Sequence, residues 1–373
     1  MKSIVVSLTL FIFLIVFNTG ADAASASLLQ AKKDAEAKGY IFFATHDEIA
    51  AAAKKEGKLR VSSGLEPTTL KRLIEAFVQK YPFMSDTRAE EIAGREAYQR
   101  FILELKAGQA KEWDITYVPI DFAEEYMPYL MRHDIFNMTR QGVLKIDPRM
   151  VHPSERNIVG VTSTITVVAY NRKLISEDKV PAKWEDFLKP ELKGKKFILD
   201  TRPTEVAALV PAWGLDKTLD FARKLAAQEP VWGSSGTRSN TSVAAGEYPI
   251  SFGASFNVIK RVTAKDTAGS LSYKVSEPIP ARNLNHASGI TNTAAHPAAA
   301  LLWLEFLASS VGQQIIDKYE PFAASLFTSG SVLEQMTRGK GLSVVDWEHF
   351  TKFQGYTEAI IAAYGFPNTK KAR

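Results

Sequence analysis

From Lys58 onward the chain alternates short β-branched runs with stretches whose apolar residues recur at helical spacing. Lys58 to Ser63 reads as a strand entering a Ser-Ser-Gly turn. Pro67 opens a helix carrying Leu70, Leu73, Ile74, Phe77 and Val78 on one face until Tyr81-Pro82. A second unit pairs a strand over Arg88 to Ile92 with a helix bearing Ala97, Phe101, Ile102 and Leu105, which stops at Gly108. A third sets a strand at Asp114 to Val118 before a helix from Asp121 to about Met131. Strand–helix repetition of this kind implies an open sheet covered by helices on its faces.

Val159 to Tyr170 breaks the rhythm, being long and rich in β-branched residues, and reads as a strand crossing into a second unit. There the alternation resumes: a helix near Trp184 to Leu188, a strand at Lys196 to Leu199, helices over Thr204 to Trp213 and Leu215 to Ala227, a strand at Tyr248 to Phe252, and a helix from about Ser255 to Ala264. Leu271 to Pro280 is the natural return. Pro297 to Tyr319 reads as one long helix with a buried face, and Leu333 to Tyr364 adds further helices. The expected organisation is a leader over residues 1–23, a helical extension over 24–57, a first lobe of 58–162 plus 281–373, and a second lobe of 163–280. In the extension, Leu29 to Lys38 and Asp47 to Lys55 are helix candidates, the latter capped by Asp47 and ended by Gly57.

Composition narrows the classes of function. The 373 residues are 46% hydrophobic and 23% charged, with a net charge of +5 and no cysteine. Ordinary cores follow, while disulfides, thiolate metal sites, cysteine nucleophiles and a lipid attached through cysteine do not. Positive charge is mild and unclustered, so nucleic acid is not an expected partner. At the N-terminus, Lys2 precedes an apolar run from Ile4 to Phe17 and a small-x-small site at Ala21-Asp22-Ala23. That is the form of a cleaved export signal, shorter than the about 20 residues of a membrane span. The mature protein is expected to be periplasmic, not a lipoprotein, with no insertion in the membrane after cleavage.

Several segments, in order, carry a resemblance: Ala52 to Leu59, the Leu73 to Pro82 helix end, Trp113-Asp114-Ile115, Ala169-Tyr170-Asn171, Trp184 to Phe187 leading to Leu192 to Lys195, Ala245-Gly246-Glu247, and Ala295-His296-Pro297 through Gly312-Gln313. Over about residues 47 to 325 the chain resembles periplasmic solute-binding proteins of ABC importers, related to the groups that bind ferric iron, thiamine and polyamines. The resemblance implies a type II, two-lobe Venus-flytrap α/β fold with two open sheets joined by a two-segment hinge. It also implies a monomer that needs no cofactor, has no enzymatic activity, and passes a small-molecule ligand to an ABC permease in the inner membrane. The ferric group uses an adjacent pair of tyrosines, and no Tyr-Tyr dipeptide occurs here.

Ligands of open α/β lobes sit at the carboxyl ends of strands, where helix N-termini present free N–H groups. The loops placed there offer Ser62, Ser63, Thr162, Arg202, Thr237, Arg238, Asn257 and His286 as ligand-binding residues. Ser62-Ser63-Gly64 is explained equally by turn and capping chemistry, Thr162 by a half-exposed strand, and Arg202 by a surface ion pair. Gly233 to Ser242 reads as a ten-residue polar loop. Hydroxyls, amides and arginine with few carboxylates favour an anionic ligand. A ferric or other cationic ligand, and a sensor docking on a membrane receptor, are the alternatives. The six histidines have no pair at i,i+3 or i,i+4, and no nucleophile elbow, phosphate loop or dinucleotide fingerprint occurs.

Overall fold

The computed structural model describes residues 19–282, 286–320 and 322–365. The apolar run of the expected leader lies outside the described residues.

Strands β1 (Lys58–Ser63), β2 (Asp86–Glu91), β3 (Ile115–Val118) and β4 (Ile158–Gly160) precede the crossing. Strands β5 (Thr164–Asn171), β6 (Phe197–Asp200), β7 (Val231–Gly233), β8 (Ile250–Ser255), β9 (Leu271–Lys274) and β10 (Ile279–Arg282) follow it, and then β11 (Ala287–Ile290) and β12 (Leu342–Val345). They build two sheets. The first runs β2-β1-β3-β11-β4, with β1 parallel to β2 and β3, and β11 antiparallel to β3 and β4. The second runs β12-β10-β5-β8-β6-β7, with β9 added on β5. In it β6 lies parallel to β7 and β8, so the carboxyl ends of all three face the same way.

Each sheet is buried on both sides. On the first, Leu59, Val61 and Ile115 pack with Phe77, Trp303 and Phe306, while Val118 and Ala287 pack with Phe101 and Tyr126. On the second, Val168, Phe197 and Phe252 pack with Trp184 and Phe221, while Ile165 and Val167 pack with Phe256 and Ile259. Strands buried on both faces read as continuous apolar runs, and β5, with all eight residues buried, is the clearest case. The N-terminal helices dock on the first lobe: Ala35, Phe42, Ile49 and Ala53 enter its core. The His46–Glu56 helix is capped by Thr45, whose side chain accepts from the Glu48 N–H, in place of the expected Asp47; Gly57 ends it at φ 63°.

Several expected elements are corrected. The helix after β3 is broken into short turns around Pro128, whose ring cannot occupy a helix interior. Pro211 likewise starts a fresh turn, Val210–Trp213, within the stretch expected to be one helix from Thr204. The long helix Pro297 to Tyr319 is two helices, Pro297–Ala308 and Ser310–Tyr319, bent by 67°. Ser309 between them is extended (ψ 161°), and its Oγ caps the second helix by accepting from Gly312 N–H. Most of the expected polar loop Gly233 to Ser242 is instead the start of a helix, Gly236–Ala245, which Ser235 caps.

The boundary of the lobes is also corrected. Residues 281–373 were expected to return to the first lobe, but β12 pairs with β10 in the second sheet. Leu333, Val345, Phe353, Ile360 and Tyr364 lie in the cores of that second lobe. Between them, Trp347 and Phe350 pack back on the first lobe with Phe101 and Tyr126. Residues 161–163 lie in the expected first passage; the return, expected over Leu271 to Pro280, comes only after β10, because β9 and β10 both pair within the second sheet, and residues 322–326 make a further passage. They lie side by side: Val161 N–H donates to His286 O (3.1 Å), and Ser163 N–H to Ala323 O (3.1 Å). Leu326 N–H donates to Ser163 Oγ (3.0 Å), fixing the third passage to the first.

Candidate functional site

The carboxyl ends of β6, β7 and β8 open onto a cavity of about 700 Å3. Its walls come from four parts of the chain: Asp200 to Glu205 after β6, the start of the Gly236–Ala245 helix, Ser251 to Ser255 of β8, and Gln354, Thr357, Glu358 and Ile361 of the C-terminal Phe353–Ala363 helix. Arg282, the last residue of β10, lines it from the hinge, and Ile120 reaches it from the first lobe. A volume in this range suits a small organic solute.

The donors are concentrated at two points. Arg282 Nη2 donates to Ser255 Oγ at 2.7 Å, which aims the guanidinium along the mouth of β8. At the Gly236–Ala245 helix, the first-turn N–H groups and the positive end of the helix dipole face the same space, with Ser235 and Thr237 beside them. Buried Ser239, Asn240 and Ser251 add polar atoms to the wall. Carboxylates are more prominent than the loops alone suggested, with Asp200, Glu205 and Glu358 all lining the cavity. Glu205 rests over Gly253, where a Cβ would stand 2.9 Å from that of Glu205; the φ of +60° there also favours glycine.

A second polar group sits at the hinge. Thr162 Oγ1 and His286 Nδ1 are 2.7 Å apart, and the His286 ring packs on Tyr117 with ring centres 5.6 Å apart. Burial is the main cause that pushes the His286 imidazole down to about 4, so it is neutral at pH 7. Gly64 closes the other side, since a Cβ there would lie 2.6 Å from His286 Cδ2.

The eight residues expected from sequence divide accordingly. Arg202 and Thr237 line the cavity, with the exposed Arg202 drawn onto Asp200 (Nη2–Oδ2 3.1 Å). Thr162 and His286 form the hinge contact. Ser62 and Ser63 are buried at the end of β1, and Ser63 Oγ accepts from Leu65 N–H, the turn chemistry weighed for it above. Arg238 is exposed on its helix, and Asn257 Oδ1 accepts from Val258 N–H; neither is among the cavity-lining residues. Arg282, Ser255, Glu205 and the C-terminal helix were missed. For Arg282 a signal existed, an arginine ending an alternating segment before a turn, the same pattern that singled out Arg202.

Residues 115–352 match the family of bacterial extracellular solute-binding proteins. The chain belongs to that family. Solute-binding proteins of this family bind small ligands outside the cytoplasm for ABC importers, and they are not enzymes. Among solved structures, the chain is similar to ferric iron-binding protein A of Mannheimia haemolytica in an open conformation, with 16% identity, a TM-score of 0.63, and coverage of 82% of this chain and 99% of that one. It is similar to iron-bound HitA of Pseudomonas aeruginosa at 15% identity and a TM-score of 0.57, covering 82% and 99%. A substrate-binding protein of an ABC transporter from Agrobacterium tumefaciens gives 16% and 0.59, covering 82% and 95%. These likenesses establish the two-lobe fold. No curated protein matches the chain.

Proposed function

We propose that this solute-binding protein captures a small polar ligand in the cavity at the carboxyl ends of β6, β7 and β8, holding an anionic group of that ligand with Arg282. The observation that supports this reading most is the position of Arg282: it ends a hinge strand, touches Ser255, and has no carboxylate partner among the described residues. An arginine so placed grips an oxyanion with parallel hydrogen bonds, and the start of the Gly236–Ala245 helix adds its dipole. Because Arg282 lies at the joint, a ligand bound there favours one angle between the lobes, and the permease reads that closed form. The protein works in this reading as a monomer in the periplasm.

A ferric ligand is the second reading, favoured by the fold shared with the Mannheimia and Pseudomonas proteins. Its donor set is against it. Among the described residues no three His, Cys, Asp or Glu side chains stand together as metal ligands, and the cavity lining holds neither tyrosine nor histidine. Iron would have to arrive already chelated by an anion.

The test is a thermal-shift screen of carboxylates, sulfonates, phosphonates, ferric chelates and polyamines, since a binder is stabilised by ligand above its dissociation constant. Small oxyanions should raise the midpoint, and Arg282→Gln should remove the rise. A response to polyamines alone, or one unchanged in Arg282→Gln, refutes the assignment.

A further inference from the structure

Charges around the cavity do not cancel. Arg202 is drawn onto Asp200, leaving Arg282 without an acidic partner among the described residues. Glu205 and Glu358 face the same cavity and likewise have no cationic partner among them: Glu205 accepts from Thr204 Oγ1 (2.7 Å) and Glu358 from Gln354 Nε2 (3.0 Å). Two carboxylates and a guanidinium that share one cavity without pairing are a place for a molecule carrying both signs.

Asn240 supplies an independent observation. It is 1% exposed, lines the cavity, and its Oδ1 is buried with no hydrogen-bond partner. Its other amide atom lies 2.7 Å from Gly236 O, a carbonyl oxygen that only the NH2 group can satisfy. The orientation of the amide is therefore fixed, and Oδ1 is an acceptor waiting for a donor. An anion alone leaves that acceptor empty. An ammonium group fills it.

We infer that the ligand is two-ended, an oxyanion joined by a short chain to an ammonium group, with the anion on Arg282 and the ammonium received by Asn240 Oδ1 and Glu205, and Glu358 at the rim. This rests on the proposed function above, and it adds the class of ligand. A purely anionic solute is selected against by Glu205 and Glu358, and a purely cationic one by Arg282, so the cavity discriminates by repulsion as well as attraction.

The experiment is isothermal titration of the purified protein with matched probes of one chain length: 3-aminopropionate, 2-aminoethanesulfonate and 2-aminoethylphosphonate, against propionate, ethanesulfonate, ethylphosphonate and ethylamine. At least one two-ended probe should bind at least about tenfold more tightly than its one-ended anion and than ethylamine. Glu205→Gln should erase that preference while keeping Arg282-dependent binding; Glu358→Gln, at an exposed position, serves as a second variant should Glu205→Gln fold poorly. If a one-ended anion binds as tightly as its two-ended partner and is lost in Arg282→Gln, the ammonium end is wrong and the anion site stands. If none of the probes binds, or binding is unchanged in Arg282→Gln, both fall.

Discussion

Arg261 of the second lobe donates from Nη2 to Glu320 Oε1 of the first at 2.9 Å. The same nitrogen lies 2.8 Å from Glu66 Oε1, and the other oxygen of Glu320 accepts from Glu66 N–H and Thr69 Oγ1, each at 3.0 Å. Glu320 is 1% exposed and Arg261 partly exposed. The lobes are thus tied by a contact that needs no ligand. Arg261→Ala leaves a buried carboxylate without its counter-charge, and with the discount for an arginine partly open to solvent the cost should be about 1–2 kcal/mol. The variant should also have a larger radius of gyration in X-ray scattering without ligand. An unchanged radius would mean that the pair does not hold the lobes together.

Replacing Arg282 and Arg202 in turn should separate a ligand anchor from a rim ion pair. Arg282→Gln should weaken binding of a responsive oxyanion by about tenfold or more, on the scale of a hydrogen bond to a charged group. Arg202→Gln should weaken it by less than about threefold, because Arg202 is exposed and already drawn onto Asp200. Equal losses in titration calorimetry would contradict this ranking.

Stability should respond to acid through three histidines. Burial holds His133, His152 and His286 down to about 4, so each stays neutral in the fold while its unfolded counterpart takes a proton below about 6.5. With a lowered folded value, the stabilising contribution is present at neutral pH and lost as pH falls from about 6.5 to 4. Each histidine should contribute a slope of about 1.4 kcal/mol per pH unit in that window. Glu56, Asp317 and Glu320, all raised by burial, act with the opposite sign and shallow the net slope. Urea titrations between pH 6 and 4.5 should show a shallower loss for His133→Leu than for the parent; identical slopes would remove His133 from the account.

Gly312→Ala should be among the most damaging substitutions in the first lobe. A Cβ there would collide with Phe306 O and stand 2.8 Å from Leu307 O, both backbone atoms at the bend between two helices. Neither can yield without unwinding the bend, so the cost should be at least about 2 kcal/mol, read from urea unfolding midpoints. A midpoint within error of the parent would show that the bend is soft.

What could be read from the sequence was whatever local chemistry fixes. The helical spacing of Leu70, Leu73 and Phe77 placed a helix now seen at Pro67–Lys80, and the β-branched run through Ile165 and Val168 placed the central strand of the second sheet. The end of a helix was legible where Gly57 forced it. Partnerships across long sequence separation were not legible. Nothing local in Phe353 to Ala363 says that Glu358 will wall a cavity built around residues 200–255, and Leu342 to Val345 carries no mark of pairing with β10 rather than the first sheet. The Ser-rich stretch at residues 234–242 looked like a loop because serine, threonine and asparagine favour turns. Ser235 instead used that chemistry to cap a helix.

Three passages between the lobes are cross-paired, with residues 161–163 in the middle, His286 bonded along one edge and Ala323 to Leu326 along the other. Such a joint is a ribbon. Folding it about the line across its width leaves every pairing intact, whereas twisting it shears those pairings and costs them together. Opening and shutting should therefore run along a single track, so that Arg282 in the joint and the Arg261 bridge meet the same opposing atoms at every closure. Selectivity for a solute then depends on a fixed alignment of two faces, as teeth depend on one jaw hinge.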